Sequence, residues 1–205
     1  MSEPRYQRRK EDRPQEITAA ALAAFAENGY AATRVDQVAK RAGVSKGLLY
    51  LYFKTKEELF KSVVRSFVVP RIDTLRQIID TSDLSSEQFL RGPFLEFAKQ
   101  LPGSPVGVIV RLMIAEGPKH PDLVQFYWDN VVSRGLATIT ELLQRGVRSG
   151  EFRDSPVIQQ PALFIMPVIV AVIFNLLFGK QRLDSELLIE TQLDLLITHL
   201  KGHAP

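Results

Sequence analysis

One glycine, Gly43, stands between two short segments whose spacing leaves little freedom of fold. On its N-terminal side Val35, Val38, Ala39 and Ala42 recur at i, i+3, i+4, i+7, so a helix there has one apolar face. Thr33 followed by Asp36 reads as a capping box that starts this helix. Ala39 is small where two helices must cross closely. Gly43 supplies the left-handed backbone of a tight turn, and Val44 plugs the corner. Ser45 then caps a second helix. Leu49 and Phe53, one turn apart on it, face inward, and burying each contributes about 1.5–3 kcal/mol. Lys46, Tyr50 and Lys54 share another face and remain free for a partner. Helix, tight turn and helix in this order form the pattern of a helix-turn-helix DNA reader.

Such a motif places the N-terminal end of its second helix toward base edges in the major groove. Here those residues are Ser45, Lys46, Gly47 and Leu48, then Tyr50. Lys46 can donate to guanine O6 and N7, Leu48 can pack on a thymine methyl, and Gly47 permits close approach. Thr33 and Arg34, at the positive end of the preceding helix, are natural phosphate partners. Tyr52 is expected either at DNA or in packing, and Lys54 either at a phosphate or as a solvated charge. Leu49, Phe53 and Val44 belong to the core.

The charge is placed to match. Residues 1–56 hold 11 Lys/Arg against 6 Asp/Glu, a balance of +5, and the remainder holds 15 against 17, a balance of −2. Extending the first segment past Glu57 and Glu58 lowers its balance to +3, so the asymmetry depends on the cut. A basic head on a slightly acidic body suits a protein that presents one end to nucleic acid. Arg5, Arg8, Arg9 and Lys10 make residues 1–12 a flexible basic leader, either a minor-groove arm or a solubilising tail. That leader has no apolar core and is not a secretory signal. The chain has no cysteine, which excludes thiol catalysis, disulfides and cysteine metal sites, and is compatible with a reducing cytoplasm.

Beyond the head the pattern is helix after helix, with no alternating strand signal, so the expected class is all-α. Asp12-Arg13-Pro14 opens the first helix, which ends at Asn28-Gly29. Thr55 with Glu58 caps a long helix through Leu59, Phe60, Val63 and Phe67, which Pro70 should kink or break near Ser66. Ser85 with Gln88 opens another, and Gly92-Pro93 threatens it. Ser104-Pro105, His120-Pro121 and Ser155-Pro156 mark further starts, Arg148-Ser149-Gly150 a stop, and Asp184 or Ser185 the start of the last helix. The expected division is a head at residues 13–58 and a larger helical domain at 59–205.

Residues 161–179 contain no charge. That length is marginal for a membrane span, which needs about 20 mostly apolar residues, and Pro161, Pro167 and Asn175 oppose one. A helix apolar all round suits a core combined with an interface. In the last helix Leu188, Gln192, Leu195 and His199 form one stripe, with Ile189, Leu193, Leu196 and Leu200 beside it.

The stretch from Ile17 to Phe60 resembles the tetracycline-repressor (TetR) family of bacterial transcription regulators. The resemblance rests on Ile17, Ala20, Ala21, Phe25, Gly29-Tyr30, Thr33, Val38-Ala39, Ala42-Gly43-Val44-Ser45, Gly47, Leu49-Tyr50, Tyr52-Phe53 and the closing Lys54-Thr55-Lys56-Glu57-Glu58-Leu59-Phe60. It implies that Tyr50 and Tyr52 meet phosphates or sugar edges and that Lys56 binds a phosphate. It also implies a homodimer built from the last two long helices, with Val168, Ala171, Val172 and Asn175 on one and Leu188, Gln192, Leu195 and His199 on the other. Residues 111–116, 121–123 and 150–153 look like the C-terminal domain of one branch of the family, which encloses an effector. Phe94, Phe97, Leu112, Glu116, Phe126, Tyr127, Trp128 and Phe164 are the candidates for an apolar pocket, each also readable as core. Glu116 also reads as a structural partner of a nearby arginine.

The resulting expectation is a cytoplasmic, homodimeric repressor released from a palindromic double-stranded operator by an apolar or aromatic small molecule. Alternatives are an effector-independent activator or architectural DNA-binding protein, and a membrane-attached regulator using residues 161–179. The histidines His120, His199 and His203 lack metal-ligand spacing, and there is no glycine-rich phosphate loop or nucleophile motif. No metal, no cofactor and no enzymatic activity are expected.

Overall fold

A computed structural model describes residues 5–179 and 183–202 of the chain. The first four residues of the leader and His203 lie outside them, as do the side chains of Arg5, Arg8, Arg9 and Lys10. Every regular element among the described residues is helical. They group into two compact units, one running to Pro70 and taking in Leu112–Phe126, the other comprising Arg71–Arg111 and the chain from Tyr127 onward.

In the first unit, α1 (Arg5–Ala32) begins inside the expected leader and carries Pro14 in its interior. Its backbone breaks at Gly29, with φ +78° and ψ 169°, a region open essentially to glycine alone. α2 (Val35–Arg41) and α3 (Lys46–Tyr52) follow, joined through Gly43 at φ +64°. α4 (Lys56–Phe67) is started by the Thr55 hydroxyl, which accepts the Glu58 N–H at 3.0 Å, while the Glu58 carboxylate accepts the Lys54 N–H at 2.7 Å. The boundary expected at residue 58 therefore falls inside α4. α1 packs on α4 through Ile17, Ala21, Phe25, Leu59, Phe60 and Val63, all fully buried. Phe25, Tyr30 and Phe60 form an aromatic triangle with centroids 5.5–5.8 Å apart. Thr18 and Ser62 share a hydroxyl–hydroxyl bond of 3.1 Å across the two helices.

Pro70 breaks the helix rather than kinking it. α4 ends at Phe67 and α5 (Val69–Thr81) starts two residues on. Pro70 thus sits in a first turn, where a missing N–H removes no intrahelical bond.

The second unit contains α5, α6 (Ser86–Phe89), α7 (Leu95–Gln100), the start of α8 (Pro105–Glu116), α10 (Ser133–Arg148), α11 (Met166–Phe178) and α12 (Ser185–Lys201). α9 (Pro121–Tyr127) lies almost wholly in the first unit. The Ser85–Gln88 capping box forms in both directions, at 2.9 and 3.2 Å. Gly92-Pro93 does not break the chain. It lies in a π-turn, Leu90–Phe94, whose wider winding tolerates the absent N–H. A second π-turn, Trp128–Val132, joins α9 to α10.

Ser155-Pro156 starts only a 3₁₀ turn, Pro156–Gln159, because Pro161 opens a second one, Pro161–Phe164, directly after it. The uncharged stretch is thus divided, and α11 is only 13 residues long. Among the described residues no helix is long and apolar enough to cross a membrane, which removes the spanning helix that the membrane-attached alternative needs.

Two polar devices tie this unit together. The Glu151 carboxylate caps α6, accepting the N–H groups of Ser86 (2.8 Å) and Glu87 (2.7 Å) and the Ser85 hydroxyl (2.6 Å). Glu87 in turn pairs with Lys201 of α12 at 2.6 Å and with Arg91 at 2.9 Å. Hydrogen bonds from Lys201 and then Arg91 hold the Glu87 carboxyl below the usual carboxylate range. A depressed folded-state pKa contributes stability above the unfolded value and loses it as pH falls through the folded one. Glu87→Gln should therefore cost about 1 kcal/mol near neutrality, since the partners are half exposed. The loss should vanish at a pH below the folded-state pKa, as thermal melts of both proteins across the acid limb will report.

Candidate nucleic-acid interface

The second helix of the motif, α3, is built from its cap outward. The Ser45 hydroxyl accepts the Leu48 N–H at 3.1 Å, and Leu49 and Phe53 are buried as the spacing requires. This orientation leaves Ser45, Lys46 and Gly47 exposed, Leu48 and Tyr52 half-buried, and Lys54 exposed. Lys46 Nζ lies 6.0 Å from the centroid of the Tyr50 ring, so the two form one surface. Sequence reasoning overlooked Leu51, the most exposed large apolar side chain among the described residues at 72%, against 40% for Tyr50. The available signal was its position, about 200° around the helix from buried Leu49.

The α1–α2 linker corrects the expectation for Thr33. Thr33 is not a cap or an outward phosphate partner. Its side chain is buried and its hydroxyl lies 2.6 Å from the Gly29 carbonyl oxygen and 3.1 Å from that of Ala24, closing the end of α1. The residue preceding α2 is Arg34, whose N–H donates to Gln37 Oε1 at 3.0 Å. Its side chain is largely exposed and pairs with Asp36 at 3.5 Å.

Lys56, expected at a phosphate, directs its ammonium at three backbone carbonyls, those of Tyr30 (2.9 Å), Ala31 (2.9 Å) and Thr33 (3.2 Å). It also lies 4.6 Å from the Tyr30 ring centroid. Burial lowers its pKa, and the Glu116 carboxylate opposes that shift.

Glu116, readable as a pocket residue or as the structural partner of an arginine, has a structural role with backbone partners: its two oxygens accept the N–H groups of Tyr30 at 2.6 Å and Ala31 at 2.5 Å. A Cβ on Gly29 would stand 2.6 Å from Glu116 Oε1, so the glycine also makes room for the carboxylate. His120, just beyond α8, packs edge-on against Tyr30 at 4.8 Å.

The remaining pocket candidates divide between the units. Leu112 and Phe126 belong with Glu116 to the first, and Phe94, Phe97, Tyr127, Trp128 and Phe164 to the second. Phe126 is a platform for cations of α4, with Lys61 Nζ 5.4 Å and the Arg65 guanidinium 5.0 Å from its ring. Leu112, Phe94 and Phe164 are buried, Phe97 and Tyr127 half-buried, and Trp128 is 49% exposed. Desolvation raises the Tyr127 phenol well above its ordinary pKa.

Of the interface candidates, Val168, Ala171 and Val172 are buried within the chain itself. Asn175 is half-buried, with its Oδ1 unbonded among the described residues. The exposed stripe of α11 is instead Met166, Val170 and Leu177. On α12 Leu188 and Gln192 are half-buried and Leu195 and His199 exposed, with Ile189, Leu193, Leu196 and Leu200 buried behind them. The His199 carbonyl and Nδ1 accept from Arg153 at 2.7 and 2.9 Å. Among the described residues no cluster of metal-ligating side chains occurs.

This geometry separates two kinds of variant. Lys56→Ala removes three charge-assisted bonds and should destabilise the head by about 1–3 kcal/mol, lowering its melting temperature in the absence of DNA. Leu51→Ala should leave the melt within about 0.5 kcal/mol of the parent while weakening DNA binding in a gel-shift titration.

Comparison with known proteins agrees with the head and extends to the second unit. The family described as bacterial regulatory proteins, tetR family, matches residues 17–63, and the AefR-like transcriptional repressor C-terminal domain matches residues 94–158. The fatty acid metabolism regulator protein of Bacillus subtilis is 26% identical over 192 residues, covering 92% of this chain and 97% of that protein. The HTH-type transcriptional repressor KstR2 of Mycolicibacterium smegmatis is 30% identical over 142 residues, 69% of this chain and 68% of the repressor. Among solved structures, FadR from Bacillus subtilis in complex with stearoyl-CoA superposes with a TM-score of 0.75 at 23% identity, covering 91% of this chain and 98% of that one. The fatty acid degradation regulator FadR from Bacillus halodurans gives 0.75 at 23% identity, covering 93% and 97%. The chain belongs to the TetR family and is a DNA-binding transcription regulator, not an enzyme.

Proposed function

We propose that this regulator is a cytoplasmic homodimeric repressor that holds a palindromic operator and leaves it when a small molecule with a long apolar portion binds the second unit. The observation that carries the reading is the outward face of α3, where Lys46, Tyr50 and Leu51 stand exposed while Leu49 and Phe53 hold the helix from behind. Lys46 is suited to guanine O6/N7 and Leu48 and Leu51 to thymine methyls. Arg34 provides a phosphate contact at the start of α2. Two such heads read two half-sites, and the symmetry of a dimer is mirrored by a palindrome.

Dimerisation is supported by the exposed stripe Met166, Val170 and Leu177 on α11 and by Leu195, 63% exposed, on α12, which packs against it. Apolar side chains so placed favour burial against a second copy. The effector class is supported by the relatives, one named for fatty acid metabolism and one solved with stearoyl-CoA. A fatty acyl thioester is therefore the first ligand to test.

The decisive measurement is operator release. An operator selected from a genomic fragment library should be bound by the protein and released on titration with a long-chain acyl-CoA, but not with free coenzyme A. Release by neither, with binding intact, would overturn the acyl-thioester reading. Leu177→Glu combined with Leu195→Glu should halve the mass seen by light scattering and abolish binding to the full palindrome. An unchanged mass would place the dimer interface elsewhere.

A further inference from the structure

Glu116 is the last residue of α8, and α8 begins at Pro105 in the second unit and ends in the first. The end of α8 that belongs to the first unit places this carboxylate on the α1–α2 linker. The linker meets it with the consecutive N–H groups of Tyr30 and Ala31, freed from helical partners by the break at Gly29. Lys56 takes the carbonyls of Tyr30, Ala31 and Thr33 in the same segment. The peptide joining Tyr30 to Ala31 is held from both ends, its N–H by the Glu116 carboxylate and its C=O by the Lys56 ammonium, so the two charges polarise that group in the same sense and the two bonds strengthen one another. The clamped segment leads directly into Arg34 and α2, the elements that precede α3.

We propose that Glu116 is a positioning residue for DNA recognition, setting the α1–α2 linker and hence the placement of α2 and α3 on the operator. The proposal rests on DNA binding by the head and does not depend on the identity of the effector.

The alternative role, a carboxylate that merely adds negative charge near DNA, makes the opposite prediction. Neutralising an acidic group strengthens binding to any DNA, because non-specific affinity is set by phosphate electrostatics. Under the proposal Glu116→Gln has one acceptor oxygen where two are needed, and its amide NH₂ faces a donor. It should weaken operator binding about tenfold, within the usual range of inter-site coupling, and leave binding to non-operator DNA unchanged or tighter. Glu116→Asp keeps the charge but shortens the reach, and should lose operator affinity in the same direction.

The test is operator and non-operator titration of the full-length wild type, Glu116→Gln and Glu116→Asp, each confirmed folded by circular dichroism. Amide hydrogen exchange at Tyr30 and Ala31 is measured without DNA on the same samples. Faster exchange at those two amides together with a reduced operator-to-non-operator ratio supports the clamp as a positioning device. Faster exchange with an unchanged or improved ratio overturns it, and so does unchanged exchange in both variants. If Glu116→Gln fails to fold, Glu116→Asp alone decides, because an electrostatic role predicts no change for it.

Discussion

The DNA head depends on one backbone break. At Gly29 the chain leaves α1 with a positive φ and is left with N–H and carbonyl groups that no helix satisfies. Backbone N–H and C=O groups are obligatory hydrogen-bonding groups, and these part-buried and exposed ones are paired within the protein. Here the pairing comes from three distant or buried side chains. Glu116 takes two N–H groups, Lys56 takes three carbonyls, and the Thr33 hydroxyl turns back on Gly29 itself. The aromatic triangle of Phe25, Tyr30 and Phe60 then fixes the linker to the α1–α4 core. The path of the chain into α2 and α3 is decided at this break more than at the tight turn around Gly43.

That division explains what could be read from sequence and what could not. The turn at Gly43, the Ser45 and Thr55 caps, the Ser85–Gln88 box, the Asp184 start of α12 and the burial of Leu49 are all local. Each is fixed by residues within four positions of one another, so propensity and periodicity suffice. The partners of Lys56 and Glu116 could not be read for the opposite reason. They are set by tertiary packing, 86 residues apart in sequence for Glu116 and Tyr30. Thr33 bonds locally, to Gly29 four residues back, but a polar residue near a positive helix end looks like a phosphate ligand whichever way it turns. Glu151, which caps α6 from 64 to 66 residues away, was invisible on the same grounds.

The two last helices show where periodicity stops carrying information. α12 alternates buried and open positions clearly, and the stripe of Leu188, Gln192, Leu195 and His199 does lie on its open side. α11 is apolar on nearly every side, so no phase can be chosen from sequence. Val168, Ala171 and Val172, read as facing a partner, are buried within the chain, and the open side lies on Met166, Val170 and Leu177. Aromatic content has the same limit, because it does not say to which compact unit a ring belongs.

The π-turn at Trp128–Val132 has a mechanical meaning of its own. It joins α9, whose residues up to Phe126 belong to the first unit, to α10, which belongs wholly to the second. A π-turn contains one residue more than the α-helical turn it replaces. The second unit thus holds one residue of slack within otherwise continuous helix, directly after it begins at Tyr127. Passing that extra residue along by one position rotates the side chains it crosses by about 100° and shifts them about 1.5 Å along the axis, without opening a loop. That turn is a place where the register of a rod can change while the rod stays intact.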